Sequence, residues 1–258
     1  MIGVVRAAQN RQLQLLADAT VGTTGGAQSY TIPTGTQYID VELFGGGGGG
    51  GAGNSFTVSR TVYYVGGGGG GGGGYVRYGY TGAFGGDVLN FTIGSGGTGI
   101  ASGRGNSGGN TALTSLTRNG DTVISFSGVI AYGGFGGERA TTISMVPRGG
   151  TGGNALNGNI SNRSGSNANN GGATATAGSN GGNGGAGGEN DANTAQSITI
   201  LNGGDGGFYF SDMDPSDGGA GLDTLKGAGG GGGAYAESGK SGRGATGGVG
   251  GIRIRAYG

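Results

Sequence analysis

Two uninterrupted runs of glycine constrain this chain more than any other feature of its sequence. Seven glycines at 45–51 follow the segment YIDVELF, and nine more at 66–74 follow the segment VYYV. Glycine loses more conformational entropy on folding than any other residue, so an ordered run needs many compensating contacts. Because glycine has no side chain, those contacts have to come from backbone groups.

Alternating segments between the glycine runs predict β-strands. In YIDVELF the apolar residues Ile39, Val41 and Leu43 alternate with Asp40 and Glu42, which predicts a half-buried strand. Similar patterns predict strands at 55–65, 75–80, 87–93, 122–132, 140–146, 196–201 and 251–258. Glycine-rich tracts alternate with these strands at 45–53, 66–74, 94–109, 149–153, 171–188, 202–207 and 227–251.

Three conformations are open to the tracts. A collagen helix needs glycine at every third position and abundant proline, which the long glycine runs and a total of 3 prolines exclude. Flexible linkers usually flank domains, whereas these tracts alternate with strands along most of the chain. The remaining conformation is the extended threefold helix of polyglycine II, in which neighbouring helices hydrogen-bond to one another. We therefore predict a mostly β, irregular fold of short strands interleaved with a stacked bundle of polyglycine II helices.

Residues 1–27 differ in composition from the rest of the chain. They predict an attachment or oligomerisation segment that precedes a glycine-rich domain at 28–258. Residues 6–19 lack glycine and have a weak helical periodicity, which predicts a short N-terminal helix, with a frayed tail as the alternative. The N-terminus lacks the long apolar stretch of a signal peptide, so we expect a protein made in a cytoplasm.

The composition argues against several classes of function. The 14 basic and 14 acidic residues balance, so we expect neither a nucleic-acid partner nor insertion into a membrane. The chain has no histidine and no cysteine, which removes the commonest general base and the thiol nucleophile, so we do not expect an enzyme. Short motifs that match nucleotide-binding loops are uninformative among 76 glycines, and we expect no cofactor.

The segment SDMDPSDGG is the strongest candidate for a metal site. Asp212, Asp214 and Asp217 would supply the oxygen ligands that hard cations prefer. Their spacing is not that of a calcium-binding loop of the EF-hand type. We therefore favour a solvated acidic loop and predict no metal site.

Aromatic residues beside the glycine tracts are the best candidates for contacts with a partner. Tyrosine and phenylalanine set among Gly, Ser and Asn are typical of rigid binding loops, whereas aromatic residues inside alternating strands are better explained as core. We predict partner-binding loops at 75–86, 132–148, 154–170 and 207–217. The candidate contact residues are Tyr75, Tyr78, Tyr80, Phe84, Tyr132, Phe135, Arg139, Asn162, Arg163, Phe208, Tyr209, Phe210, Asp212 and Asp214.

Opposite charges on the first and last clear strands predict how the chain closes. Asp40 and Glu42 lie on the polar face of the opening strand, and Arg253 and Arg255 lie on that of the closing strand. Oppositely charged residues favour each other as cross-strand neighbours and help to specify register. We therefore expect these two strands to pair.

The order of the segments resembles the glycine-rich domain of bacteriophage tail-fibre proteins. The glycine-rich domain begins with SYTIPTGTQYIDVELFGGGGGGGAG, continues through GGGGGGGGGYVRYGY and DVLNFTIGSGGTG, and ends with GAGGGGGAYAESGKSGRGATGGVGGIRIRAYG. Within that group it resembles the polyglycine II tip adhesins of T-even-type phages, over residues 28–258. It lacks their larger Trp-containing attachment region, since the chain has no tryptophan.

The resemblance implies a virion protein of the tail fibre or tail tip, made in the host cytoplasm. Its tracts would form a scaffold among other tail proteins, and its loops would bind a host cell-surface receptor, either an outer-membrane protein or a glycan. The alternative is a non-adhesive structural virion protein for decoration or assembly. A third hypothesis, an ice-binding protein, needs regular GxxGxx tracts with a face of small residues, and irregular tracts disfavour it.

Overall fold

The protein is built from β-strands and glycine tracts, as a computed structural model shows. It describes residues 13–21, 25–139, 141, 146–174, 181–182, 229, 232 and 242–258. No helix occurs in these ranges, and hence none long and apolar enough to span a membrane. The strands are β1 (Leu15–Val21), β2 (Gly26–Thr31), β3 (Tyr38–Phe44), β4 (Asn54–Val58), β5 (Thr61–Val65), β6 (Tyr75–Tyr80), β7 (Val88–Ile93), β8 (Thr111–Arg118), β9 (Asp121–Ser125), β10 (Ile130–Ala131), β11 (Ala155–Leu156), β12 (Ser161–Arg163), β13 (Ala173–Thr174) and β14 (Gly251–Tyr257). The predicted mostly β fold is therefore confirmed.

Two antiparallel sheets enclose the main hydrophobic core. The first has the order β1-β14-β3-β6-β12, and the second has the order β11-β10-β8-β7-β2 with β9 beside β8. Alternate residues of a strand point to opposite faces, so each sheet presents one apolar face. Val41, Leu43 and Ile254 of the first sheet join Leu89 and Phe91 of the second in one buried cluster. The opening strand β3 and the closing strand β14 are neighbours in the middle of the first sheet.

Glycine tracts connect the first sheet to a third sheet, β13-β5-β4. Tract 45–53 leaves β3 and ends at β4, and tract 66–74 returns from β5 to β6. We call these two the central tracts. Further tracts without strand structure occupy residues 94–99, 103–110, 132–138, 147–154, 164–172 and 242–250.

The hydrogen bonds of central tract 45–53 repeat every third residue. Successive N–H groups donate in turn to tracts 66–74, 103–110 and 242–250, at N···O distances of 2.8–3.1 Å. Gly45, for example, donates to the carbonyl of Gly74, and Gly48 donates to that of Gly71. A threefold period with bonds that leave the tract is typical of polyglycine II. The tract therefore has the threefold hydrogen-bond period of that helix, and the helical conformation itself stays a prediction.

The second central tract, 66–74, shows why side chains are excluded. Among the described residues, its hydrogen-bond partners are tracts 45–53, 132–138, 147–154 and 164–172 together with Gly182. A Cβ on Gly70 would overlap the carbonyl of Gly48, and a Cβ on Gly71 would overlap the carbonyl of Thr151. Backbones of neighbouring tracts therefore approach too closely for any residue but glycine at these positions.

The structure corrects the predicted N-terminal helix. Of residues 6–19, only 13–19 are described, and Leu15–Val21 forms strand β1, which pairs with β14. The free edge of β14 offers backbone partners along the whole segment, and these outweigh a weak helical pattern. The described part of the N-terminal segment thus belongs to the first sheet.

Other strand boundaries also differ from the sequence prediction. The predicted strand at 55–65 is a hairpin, because Ser59 and Arg60 both have positive φ and reverse the chain. The predicted strand at 122–132 is divided between β9 and β10 by a turn at Gly128. Apart from residues 141 and 146, the predicted strands at 140–146 and 196–201 lie outside the described residues, as does tract 202–207.

Candidate functional site

The charged face of the first sheet is a buried ionic cluster. Arg255 lies opposite Asp40 and Arg253 lies opposite Glu42, so the predicted cross-strand pairing is confirmed. Arg255 Nη2 lies 2.9 Å from Asp40 Oδ2 and 3.1 Å from Glu42 Oε1. All of these side chains are buried. The prediction of a half-buried strand β3 is therefore wrong, because its polar face is covered as well as its apolar face.

Neighbouring strands complete this cluster. Arg77 of β6 lies 2.7 Å from Asp40, and Asp18 of β1 lies 2.6 Å from Arg253. The hydrogen bond from Arg253 lowers the pKa of Asp18, and the hydrogen bond to Asp40 raises the pKa of Arg77. Carboxylates and guanidinium groups are equal in number here, so their charges cancel within the sheet. We infer that the cluster fixes strand register and does not serve as a binding site.

The tyrosines predicted as loop contacts at 75–80 lie on a strand. Tyr75 is fully buried in β6, where its ring is tilted against that of Phe44 with 5.3 Å between the ring centroids, and it donates its hydroxyl to Glu42. It is therefore unavailable to a partner, which corrects that prediction. Tyr78 and Tyr80 are half-buried and contact the edge of the Phe126 ring at 5.5 and 6.1 Å.

Phe84 is exposed beside a polar pocket of 360 Å³ that Asp87 and Arg118 also line. The Arg118 guanidinium lies 4.4 Å from the centre of the Phe84 ring and is paired with Asp87 at 2.8 Å. The hydrogen bond from Arg118 lowers the pKa of Asp87. The groups of this pocket are thus already paired with one another.

The remaining predicted contact residues are spread over several elements. Arg139 donates to the carbonyl of Ser102 and to Asn54 Oδ1, and Asn162 exchanges hydrogen bonds with the backbone of Gly158. Arg163 is exposed on β12. Phe208, Tyr209, Phe210, Asp212 and Asp214 lie outside the described residues. Within the described ranges, no group of three or more potential metal ligands occurs.

Four tracts outside the central pair have a side chain at every third position, and we call this set of side chains the array; tracts 103–110 and 164–172 carry further side chains between these positions. The hydrogen bonds place tract 103–110 beside 132–138, tract 132–138 beside 147–154, and tract 147–154 beside 164–172. The array consists of Arg104, Ser107 and Asn110; Tyr132, Phe135 and Glu138; Arg148, Thr151 and Asn154; and Ser164, Asn167 and Asn170. Every one of these side chains is exposed or half-buried, whereas the glycines between them face neighbouring backbones.

The register of the tracts arranges the array in rows. Tyr132 donates its N–H to the carbonyl of Asn154, and Phe135 donates to that of Thr151. Asparagine side chains accept outward-facing backbone N–H groups: Asn110 Oδ1 accepts from Gly133, Asn167 Oδ1 from Gly152, and Asn170 Oδ1 from Gly149. The side chains therefore replace the hydrogen-bond partners that a further tract would have supplied.

A groove of 390 Å³ crosses the array beside its aromatic residues. Its side-chain walls are Ser107, Asn110, Tyr132, Phe135, Asn154 and Leu156. The exposed fractions are 51% for Phe135 and 40% for Leu156, which are large values for apolar residues. The groove is concave, partly aromatic and lined by amide and hydroxyl groups, which are the usual features of a ligand site. Among the described residues that line it, none is charged.

A family model described as a glycine-rich domain matches residues 22–257. The chain belongs to the glycine-rich domain family. No match to a curated protein was found.

The glycine-rich domain places two of its predicted contact residues, Tyr132 and Phe135, on a tract and not on a loop. Residues 132–138 were predicted as part of a loop, but they form a tract whose outward positions carry Tyr132 and Phe135. Sequence reasoning missed Ser107, Asn110 and Asn154. Their signal was the spacing of non-glycine residues at every third position, as in YGGFGGE and RGGTGGN. The regular GxxGxx spacing holds in tracts 132–138 and 147–154 but not in 103–110 and 164–172, and the large and charged side chains of the array also disfavour an ice-binding face.

Proposed function

We propose that this protein is a bacteriophage virion adhesin of the tail fibre or tail tip, which binds a receptor on the host cell surface. The supporting observation is the groove beside Phe135. It presents an exposed aromatic ring and amide groups on a scaffold of closely packed backbones. Rigid aromatic contacts lose little side-chain entropy on binding, so they are efficient anchors for recognition. The order of the sequence segments, which resembles that of tail-fibre glycine-rich domains, supports the phage origin.

The function requires that the free protein compete with phage for the host surface. Purified protein is expected to bind host cells and to reduce phage adsorption, and Phe135→Ala is expected to weaken both effects while the melting temperature is unchanged. Val123→Ala is a matched control, because Val123 is also exposed but lies on β9 and does not line the groove. An equal loss of cell binding in Phe135→Ala and Val123→Ala would contradict a role for the groove.

A non-adhesive structural role in the virion is the competing proposal. Purified protein that does not bind host cells, under conditions in which whole phage does, would favour decoration or assembly. Labelling the protein on intact virions also distinguishes the adhesin from the structural role, because an adhesin has to be accessible at the fibre or tail tip.

A further inference from the structure

We propose that the groove binds a neutral oligosaccharide chain, and this inference rests on the proposed function in host-surface binding. The ligand class follows from three properties of the groove: the spacing of its aromatic residues, the hydrogen-bond donors that it leaves unused, and the absence of charge among its described lining residues. These properties favour a glycan over a peptide strand of a protein receptor.

The aromatic side chains are spaced along one tract. Tyr132 and Phe135 are three positions apart on a predicted threefold helix, so they point to the same side and are separated by about 9 Å at about 3.1 Å per residue. Tyr132 is half-buried and Phe135 is exposed. Aromatic rings can stack against the C–H faces of sugar rings, and this separation exceeds the length of one sugar residue, so the two side chains would contact non-adjacent rings of an extended chain.

The hydrogen bonds within the array fix which amide atoms face the ligand. Asn110 Oδ1 accepts the N–H of Gly133 at 3.0 Å, and Asn154 Oδ1 accepts the N–H of Ala155 at 2.8 Å. A backbone N–H only donates, so the side-chain atom that it contacts has to be the oxygen. Both NH₂ groups are therefore left as donors, and the described residues supply no partner for them. Together with the Ser107 hydroxyl, they suit a ligand rich in hydroxyl and ring oxygens.

The surroundings argue against other ligand classes. Within the described part of the chain no charged side chain lines the groove, so an anionic or cationic ligand would lose hydration without gaining an ion pair there. A peptide that extends a sheet needs free backbone N–H groups, but those of Gly133, Gly149 and Gly152 are taken by asparagine side chains. The polar donors would be left unsatisfied by a lipid chain.

The test measures binding of the full chain to an array of neutral oligosaccharides of hexoses and N-acetylhexosamines. Their carboxylated, sulfated and phosphorylated counterparts are included, and the best ligand is then titrated by calorimetry. Asn110→Asp and Asn154→Asp keep the oxygen that accepts the backbone N–H, but they replace the NH₂ donor with a charged oxygen. Each is expected to weaken neutral-glycan binding by about tenfold or more, without a change in melting temperature. Phe135→Ala is expected to weaken binding by a similar factor.

Asn167→Asp is the matched control. Asn167 accepts a glycine N–H in the same way but does not line the groove, so this variant is expected to bind the glycan as the unmodified protein does. Binding of charged glycans in preference to neutral ones would overturn the inference. So would a loss of glycan binding in Asn167→Asp equal to that in Asn110→Asp and Asn154→Asp. If the protein blocks phage adsorption but binds no neutral oligosaccharide, the glycan inference fails and the adhesin function stands. If it binds neither cells nor glycans, both fail.

Discussion

Replacing Gly70 with alanine tests whether backbone packing holds the central tracts together. The added methyl group would overlap the carbonyl of Gly48 in the neighbouring central tract. The methyl carbon is fixed directly to the backbone and the atom that it meets is a backbone oxygen, so neither can move aside by changing a side-chain rotamer. The two tracts have to separate, and the hydrogen bonds between them have to lengthen or break.

The expected loss of stability follows from the hydrogen bonds between the two central tracts. Gly45, Gly48 and Gly51 donate to tract 66–74 at 2.9, 2.8 and 2.8 Å. At about 1 kcal/mol for each hydrogen bond, their loss costs about 3 kcal/mol. Alanine restricts the unfolded chain, which offsets this cost by about 0.4–1 kcal/mol. We therefore expect Gly70→Ala to lower the free energy of unfolding by about 2–3 kcal/mol, which corresponds to a fall in melting temperature of roughly 5–10 °C.

The assay is thermal unfolding followed by circular dichroism, with Gly103→Ala as the control. Gly103 also lies in a glycine tract, but a Cβ there meets only the Ile100 side chain, at an ordinary contact distance of 3.8 Å. The control is expected to melt at or slightly above the temperature of the unmodified protein. If Gly70→Ala has the same melting temperature as Gly103→Ala, close packing of backbones does not stabilise the tracts, and the scaffold argument is refuted.

Three further substitutions test other parts of the fold. Arg255→Met removes one of the three guanidinium groups of the cluster and leaves its three carboxylates in excess, with Arg77 beside Asp40 and Arg253 beside Glu42. It is expected to cost about 3–5 kcal/mol in urea unfolding, whereas a loss below about 1 kcal/mol would contradict the role of the cluster. Since Arg118 lowers the pKa of Asp87 below the usual 3.8, their pair stabilises the fold above that pH and loses this effect as the pH falls through the lowered pKa. The melting temperatures of the unmodified protein and Asp87→Asn should therefore converge in acid, and a constant difference would argue against the pair. Ser59→Asn combined with Arg60→Gly should stabilise the β4–β5 hairpin by about 1 kcal/mol, because positive φ suits Asn-Gly, and an unchanged melting temperature would show that the turn is not strained.

Local patterns in the sequence predicted the strands that have clear alternation. Strands β3, β6, β7 and β14 lie where alternation placed them, and the opposite charges on β3 and β14 predicted their pairing. The hairpin at Ser59 and Arg60 was missed because these residues rarely adopt positive φ, so the turn left no signal. Strand β1 was missed because its structure depends on the edge of β14, which is distant in sequence.

The candidate site was only partly predictable for the same reason. Tyr132 and Phe135 stood out as aromatic residues beside glycine, and both lie in the array. Asn110 and Asn154 did not stand out, because their importance comes from tracts that become neighbours only after folding. Tyr75 was misjudged because aromatic content alone does not distinguish an exposed ring from one that closes a buried cluster.

The sequence by itself determined that this protein could not be held together by an ordinary side-chain core. Long glycine runs left backbone packing as the means of ordering much of the chain, and the alternating segments fixed where strands would interrupt it. The tertiary structure decided which tracts lie side by side and in which register. A glycine run carries no side-chain pattern that could specify a partner, so its neighbours are set by the strands at its ends and by contacts across the whole fold. Only that arrangement brings Asn110, Tyr132 and Asn154 together as one surface.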